Sequence, residues 1–302
     1  MSLSATDKTA VAMEYQTNDI PVVNYSGPSS ELIIRPRKGW IAVDWRELLS
    51  HRELLLFLIW RDIKVKYKQA ILGMAWAVLV PIFSVAIFTF IGKFAGFTNR
   101  VQAGIPYPVF VFAGLIPWIF FQNAISGGGM SLVNQQNLLS KIYLPRLFMP
   151  ASTIGSSLMD MAISFCVLFG MMGFYHFLTP NLLGLLMVPV LLMISFILAL
   201  GMAFTLSALT VSYRDLRFLI PFLSQILMWL SAAMYPAAIF GKYQRYLAIN
   251  PIFGLIDGFR SALLGQPWHV GQLVTATWVS FGLFVFGLFY FRRTERRFAD
   301  IA

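Results

Sequence analysis

Six stretches of the chain, residues 71–96, 107–126, 149–175, 182–210, 217–236 and 270–291, consist almost wholly of apolar side chains. Each is about 20 residues or longer, the length a helix needs to cross ~30 Å of hydrocarbon. Polar residues collect in the connections, so the pattern predicts an all-α polytopic membrane protein with six transmembrane helices. Aromatics suited to a membrane–water interface stand near the run ends: Trp76, Trp118, Tyr143, Tyr175, Tyr213, Tyr235 and Trp268. Pro81, Pro117, Pro189 and Pro221 fall inside or near spans, where neighbouring helices can satisfy the freed carbonyls.

Outside these runs the period changes. Residues 1–30 are rich in Ser, Thr, Asn and Pro, lack an apolar run of signal-peptide length, and read as a flexible cytosolic tail. Over 31–70, Trp45, Leu48, Leu49, Leu55, Leu56, Ile59, Trp60 and Ile63 recur at helical spacing against Arg46, Glu47, His51, Glu53, Asp62 and Lys64. Asp44 followed by Glu47 is a capping-box start, so this segment predicts an amphipathic helix on the interface.

Two connections are more than loops. Over 127–148, Leu132, Val133, Leu139 and Ile142 punctuate a polar series closed by Pro145, which predicts a short cytosolic helix parallel to the membrane. Asn134, Gln135, Asn137, Lys141 and Arg146 could meet a soluble partner there, and Tyr213, Arg214 and Asp215 in the next cytosolic turn could form a second contact. Residues 237–267 are apolar but broken by Pro251, Gly254, Asp257, Gly258 and Arg260; they predict two short helices dipping in from the outer face.

Composition agrees with a membrane setting: 58% hydrophobic and 12% charged, where soluble domains carry about 25% charge. The net charge of +10 does not point to nucleic acid, because the cations flank apolar runs, where anionic headgroups lie. With the N-terminus inside, only Lys93, Arg100, Lys242, Arg245 and Arg260 of the 23 Lys and Arg fall outside. That bias places both termini in the cytosol, including the basic C-terminus 292–302, and rejects a seventh span that would export RRTERR. The single cysteine, Cys166, excludes an intrachain disulfide and reads as a small buried hydrophobe.

Catalytic patterns are absent. There is no G-x-x-x-x-G-K-[ST], no G-x-S-x-G, and three scattered histidines suggest no metal site. Asp160 is the one acid well inside a span, a functional candidate or a hydrogen-bonded packing residue. With so little for proton coupling, an energy source in trans is the better inference. Trp76, Phe83 and Phe90 recur every seven residues with Val80 and Ile87 between them, and Trp229 and Tyr235 close the fifth run. Such rings could line a permissive path for a long carbohydrate, or serve helix packing or lipid contact.

Four stretches together, GWIAVDWRELLSHRELL, WRDIKVKYKQAILGMAWAVLVP, NLLSKIYLPRLFMP and FRRTERRFAD, carry a resemblance. The chain resembles the permease subunit of ABC exporters that move lipid-linked polysaccharide, such as O-antigen or teichoic acid, across the cytoplasmic membrane. The resemblance implies a half-transporter without cofactor of its own: two copies form the pore, and two copies of a separate ABC ATPase supply ATP and Mg. It matches residues 44–68 to the interfacial helix, Asn134 to Pro145 to the coupling helix, and 237–267 to the outer re-entrant helices. On this reading Arg61, Lys64, Lys66 and Lys68 hold the pyrophosphate of a polyprenyl-linked glycan, each cation contributing about 1 kcal/mol. Two other readings are an ABC exporter of small hydrophobic compounds and an integral membrane enzyme acting on lipid-linked sugars. The enzyme would need polar catalytic residues at one depth, which Asp160 and Asp257 do not supply.

Overall fold

A computed structural model describes residues 45–68, 75–139, 144–177, 182–213 and 215–295. The tail 1–30, Asp44 of the capping box, Tyr143, Lys141, Arg214 and the end of the basic C-terminus lie outside the described residues. Among the described residues there is helix and connection but no strand. The amphipathic segment is two helices, α1 (Trp45–Ser50) and α2 (Arg52–Lys68), separated at His51.

Five helices are long and apolar enough to cross a membrane. They are α3 (Ala75–Phe94), α4 (Tyr107–Asn123) continued through a π-turn at Ala124–Gly128 into α5 (Gly129–Asn134), α7 (Phe148–Phe174), α8 (Leu182–Ser212) and α12 (Val270–Glu295). The α4–α5 rod of 28 residues is about 42 Å long, so the second apolar run continues well into the segment expected to lie flat. Only α6 (Gln136–Leu139) remains as a separate helical turn there among the described residues.

The fifth run differs most from expectation. It forms α9 (Leu216–Leu230), 15 residues and about 22 Å, and then turns sharply instead of continuing to 236. A 3-10 segment (Ala237–Tyr243), α10 (Gln244–Leu247) and α11 (Pro251–Leu264) follow. Local chemistry sets the limits of α11: the Asn250 side-chain oxygen accepts from the Ile252 amide at 3.1 Å, Pro251 takes the first turn, and Gly265 closes it at φ 69°.

α4 is the central element. Of its apolar window 78% is buried, against 17% for α3 and α12, and it packs on α3, α7, α8 and α11. Trp118, expected at an interface, is 1% exposed within this helix, because the helix is enclosed on every side. Cys166, expected to be buried, is exposed on α7. The most extensive pairing joins α8 to α12, where Gly201 and Gly287 let the two backbones touch. A second core cluster, Leu58, Leu132, Leu144, Leu147, Phe148, Met149, Phe204 and Phe291, binds α2, α5, α7, α8 and α12 together at one end.

Candidate functional site

α2 lies against the first half of α7, so close that a Cβ on Gly155 would come within 2.6 Å of the Ile59 side chain. Its polar residues therefore meet α7 and the α5–α6 junction directly. Arg61 donates from Nε (3.0 Å) and Nη2 (2.7 Å) to Asp62, and from Nη2 to Gln135 Oε1 at 2.6 Å. The other Asp62 oxygen accepts from Ser152 Oγ at 3.0 Å. A continuous relay, Gln135–Arg61–Asp62–Ser152, thus links the expected partner-contact segment to the expected lipid-landing helix and to α7.

One turn further along α2, Lys66 pairs with Asp160 and the Tyr67 hydroxyl donates to the same carboxylate. Burial first, and then the Asp160 acceptor, hold the Tyr67 hydroxyl well above the ordinary phenol range. Asp160 is consequently an ion-pair partner with a 13% exposed side chain. The four cations proposed to hold pyrophosphate divide into two kinds. Arg61 and Lys66 are engaged with carboxylates; Lys64 is exposed, its ammonium 5.1 Å from the Trp60 ring centroid, and Lys68 is exposed with no ion pair among the described residues. Four residues apart, Lys64 and Lys68 share a helix face.

The expected partner-contact residues also separate. Asn134 is exposed at the end of α5, and Gln135 is tied to Arg61. Arg146 is half-buried and donates to the Glu295 carbonyl at 3.1 Å, joining the start of α7 to the end of α12. The Asn137 side chain, like Lys141 and Arg214, is outside the description. Tyr213 and Asp215 line a shallow apolar groove with Leu209, Leu216, Phe218 and Phe222.

Of the aromatic candidates, Trp76, Phe83 and Phe90 form one exposed face of α3, at 47%, 57% and 64%, opposite the buried Pro81 and Val85. Trp229 is exposed too. Tyr235 is 6% exposed: its hydroxyl donates to the Trp229 carbonyl and its ring packs on Phe97, Trp229 and Phe240. It is a packing residue of the turn after α9, and within this chain it offers no ring to an open path.

Sequence reasoning missed Arg260, which it counted as an outer-loop cation. Arg260 is 3% exposed; its guanidinium donates to the carbonyls of Ala232 (3.1 Å) and Ala233 (2.7 Å) and lies 3.8 Å from the Phe110 ring centroid. A lone arginine inside the apolar text GLIDGFRSALL was the available signal.

Comparison with known proteins adds a family match and three relatives. The profile of the family described as ABC-2 type transporter matches residues 53–264. An O-antigen export system permease protein RfbA from Klebsiella pneumoniae is 25% identical over 251 residues, covering 82% of this chain and 95% of that protein. RfbA of Myxococcus xanthus is 26% identical over 72% of this chain and 82% of its own length. The polysialic acid transport protein KpsM of Escherichia coli is 26% identical over 74% and 85%.

Proposed function

Because this chain belongs to the ABC-2 type transporter family, we propose that it is the membrane half of an ATP-driven exporter of polyprenyl-pyrophosphate-linked polysaccharide, working as a homodimer above two ABC ATPase subunits in the cytoplasmic membrane. The observation that carries the reading is the near end-to-end match to a permease named for O-antigen export. In this reading α9 and the helices after it complete a six-crossing topology with both termini inside, and α10 and α11 dip in from the outer face.

The geometry suggests how the parts cooperate. A glycan made on the cytosolic side docks its pyrophosphate against the exposed ammonium groups of Lys64 and Lys68, with Arg61 and Lys66 holding α2 in place. ATP-driven closure of the partner presses on the α5–α6 junction. The Gln135–Arg61–Asp62–Ser152 relay carries that displacement to α2 and α7, so the landing surface and the spans move as one. The exposed α3 aromatics then offer apolar faces to a sugar chain passing between two copies.

The test is ATP hydrolysis by the full chain in nanodiscs, co-purified with an ABC ATPase, with and without polyprenyl-pyrophosphate-linked glycan. Stable association and a glycan-responsive rate are expected; failure to associate with any ATPase overturns the reading. The double variant Lys64→Gln/Lys68→Gln should raise the glycan concentration for half-maximal stimulation by about thirtyfold, from ~1 kcal/mol per cation, and leave basal hydrolysis unchanged. An unchanged dose response would remove these lysines from the landing site.

A further inference from the structure

The sequence Leu230-Ser-Ala-Ala-Met-Tyr235 has the composition of a helix interior, and only Pro236 forbids continuation. The helix nevertheless ends at Leu230. Residues 231–233 are fully buried in the turn that follows, and Ala232 sits at φ 49°, a left-handed conformation that normally falls to glycine at a helix C-terminus. Past Ala232, whose amide reaches the Trp229 carbonyl, the amides of Ala233, Met234 and Tyr235 make no backbone hydrogen bond among the described residues.

Side chains from elsewhere cap the carbonyls of this turn and its serine. Arg260 takes the carbonyls of Ala232 and Ala233, Tyr107 donates to the Met234 carbonyl at 2.9 Å, and Asn250 donates to Ser231 Oγ at 3.0 Å. Gly114 of α4 gives the turn room: a Cβ there would stand 2.3 Å from the Ala233 carbonyl and 2.4 Å from Arg260 Nη2. The guanidinium itself is incompletely satisfied, since the buried Nε has no partner among the described residues. Local sequence favours helix while tertiary contacts impose a strained break, the condition for an element with two discrete arrangements.

We propose that Arg260 is a positioning residue that holds α9 short, and that withdrawal of its guanidinium lets the helix continue to Tyr235. The five added residues lengthen α9 by about 7 Å, from ~22 Å to roughly the thickness of the hydrocarbon core. Extension also pulls Ala232, Ala233 and Tyr235 off α4 and α11, so the end of α9 and the buried face of α11 are uncovered in one step. The inference rests on this turn alone and is independent of the cargo.

Amide hydrogen exchange over residues 227–236, on the full chain in nanodiscs, separates this switch from a plain structural role. Arg260→Gln should slow exchange at Ala233–Tyr235 by about tenfold or more as these amides enter the helix ladder. Arg260→Lys should resemble Arg260→Gln, because lysine lacks the planar fork that reaches both carbonyls while lying over the Phe110 ring. Tyr107→Phe, which frees one carbonyl at nearly constant volume, should slow exchange less, and Ala232→Gly should keep it at the wild-type rate or faster. Faster or unchanged exchange in Arg260→Gln, or wild-type behaviour of Arg260→Lys, overturns the proposal. If Arg260→Gln does not accumulate, Tyr107→Phe decides: slowing supports the switch, and no change or acceleration refutes it.

Discussion

Gly287→Ala should lower stability by about 3 kcal/mol, at the upper end of what overpacking costs, and leave little protein in the membrane. A Cβ on Gly287 would lie 2.3 Å from the Gly201 carbonyl oxygen and 2.8 Å from Thr205 Oγ1. On the facing helix, a Cβ on Gly201 would lie 2.6 Å from the Phe284 amide nitrogen. These neighbours are mostly main chain, so no rotamer change relieves the clash and α8 must move off α12. Apolar side chains gain little by leaving lipid, and close backbone approach is then what holds two such helices together. Gly282 on the same helix is the control: a Cβ there meets nothing within 4 Å, so Gly282→Ala should be neutral within about 0.5 kcal/mol. Thermal unfolding of the two purified variants reads the difference, and equal melting temperatures would remove the backbone contact from the account.

Lys66→Met should rank next, costing about 2 kcal/mol and loosening α2 from α7. The change leaves Asp160, 13% exposed and midway along an apolar helix, with Tyr67 as its remaining partner. The loss falls below the ~3–5 kcal/mol of a fully buried pair because the Lys66 side chain is 49% exposed. Asp160→Leu on its own should cost less, since a half-exposed lysine can turn back to solvent, and the double variant Lys66→Met/Asp160→Leu should recover most of the stability. Unfolding measurements on the two single variants and the double complete the cycle. Strictly additive losses would mean that the pair does not hold α2.

How legible the fold was depended on distance along the chain. The apolar runs were enough to locate α3, α4, α7, α8 and α12, because run length is a local property. The end of α9 was not visible, because Ser231–Tyr235 reads as helix and the residues that break it, Tyr107, Asn250 and Arg260, come from other parts of the chain. Which face of a helix is covered was equally hidden: Trp118 is enclosed and Cys166 exposed, although both stand in similar apolar text. At the candidate site the sequence named charged and polar residues one by one, and their grouping was not visible. Arg61 and Gln135 belonged to separate functional sets and are hydrogen-bonded across 74 positions of sequence, while Lys66, read as a landing-site cation, and Asp160, read as an intramembrane acid, pair across 94 positions. A pattern along one helix identifies charges; only packing decides which of them are already neutralised.

The π-turn between α4 and α5 has a consequence for how length changes would be tolerated. A wide turn carries one residue more than the α-helical path it replaces, and each residue of an α-helix rotates the following face by about 100°. Removing one residue from Ala124–Gly128 would therefore tighten the wide turn to the α-helical path and keep Leu132 near its core cluster and Gln135 near Arg61, whereas removing one from residues 129–131 would swing both by about 100°. The rod keeps its one spare residue at this turn, so a deletion there is absorbed, while a deletion beyond it is a rotation of everything that follows.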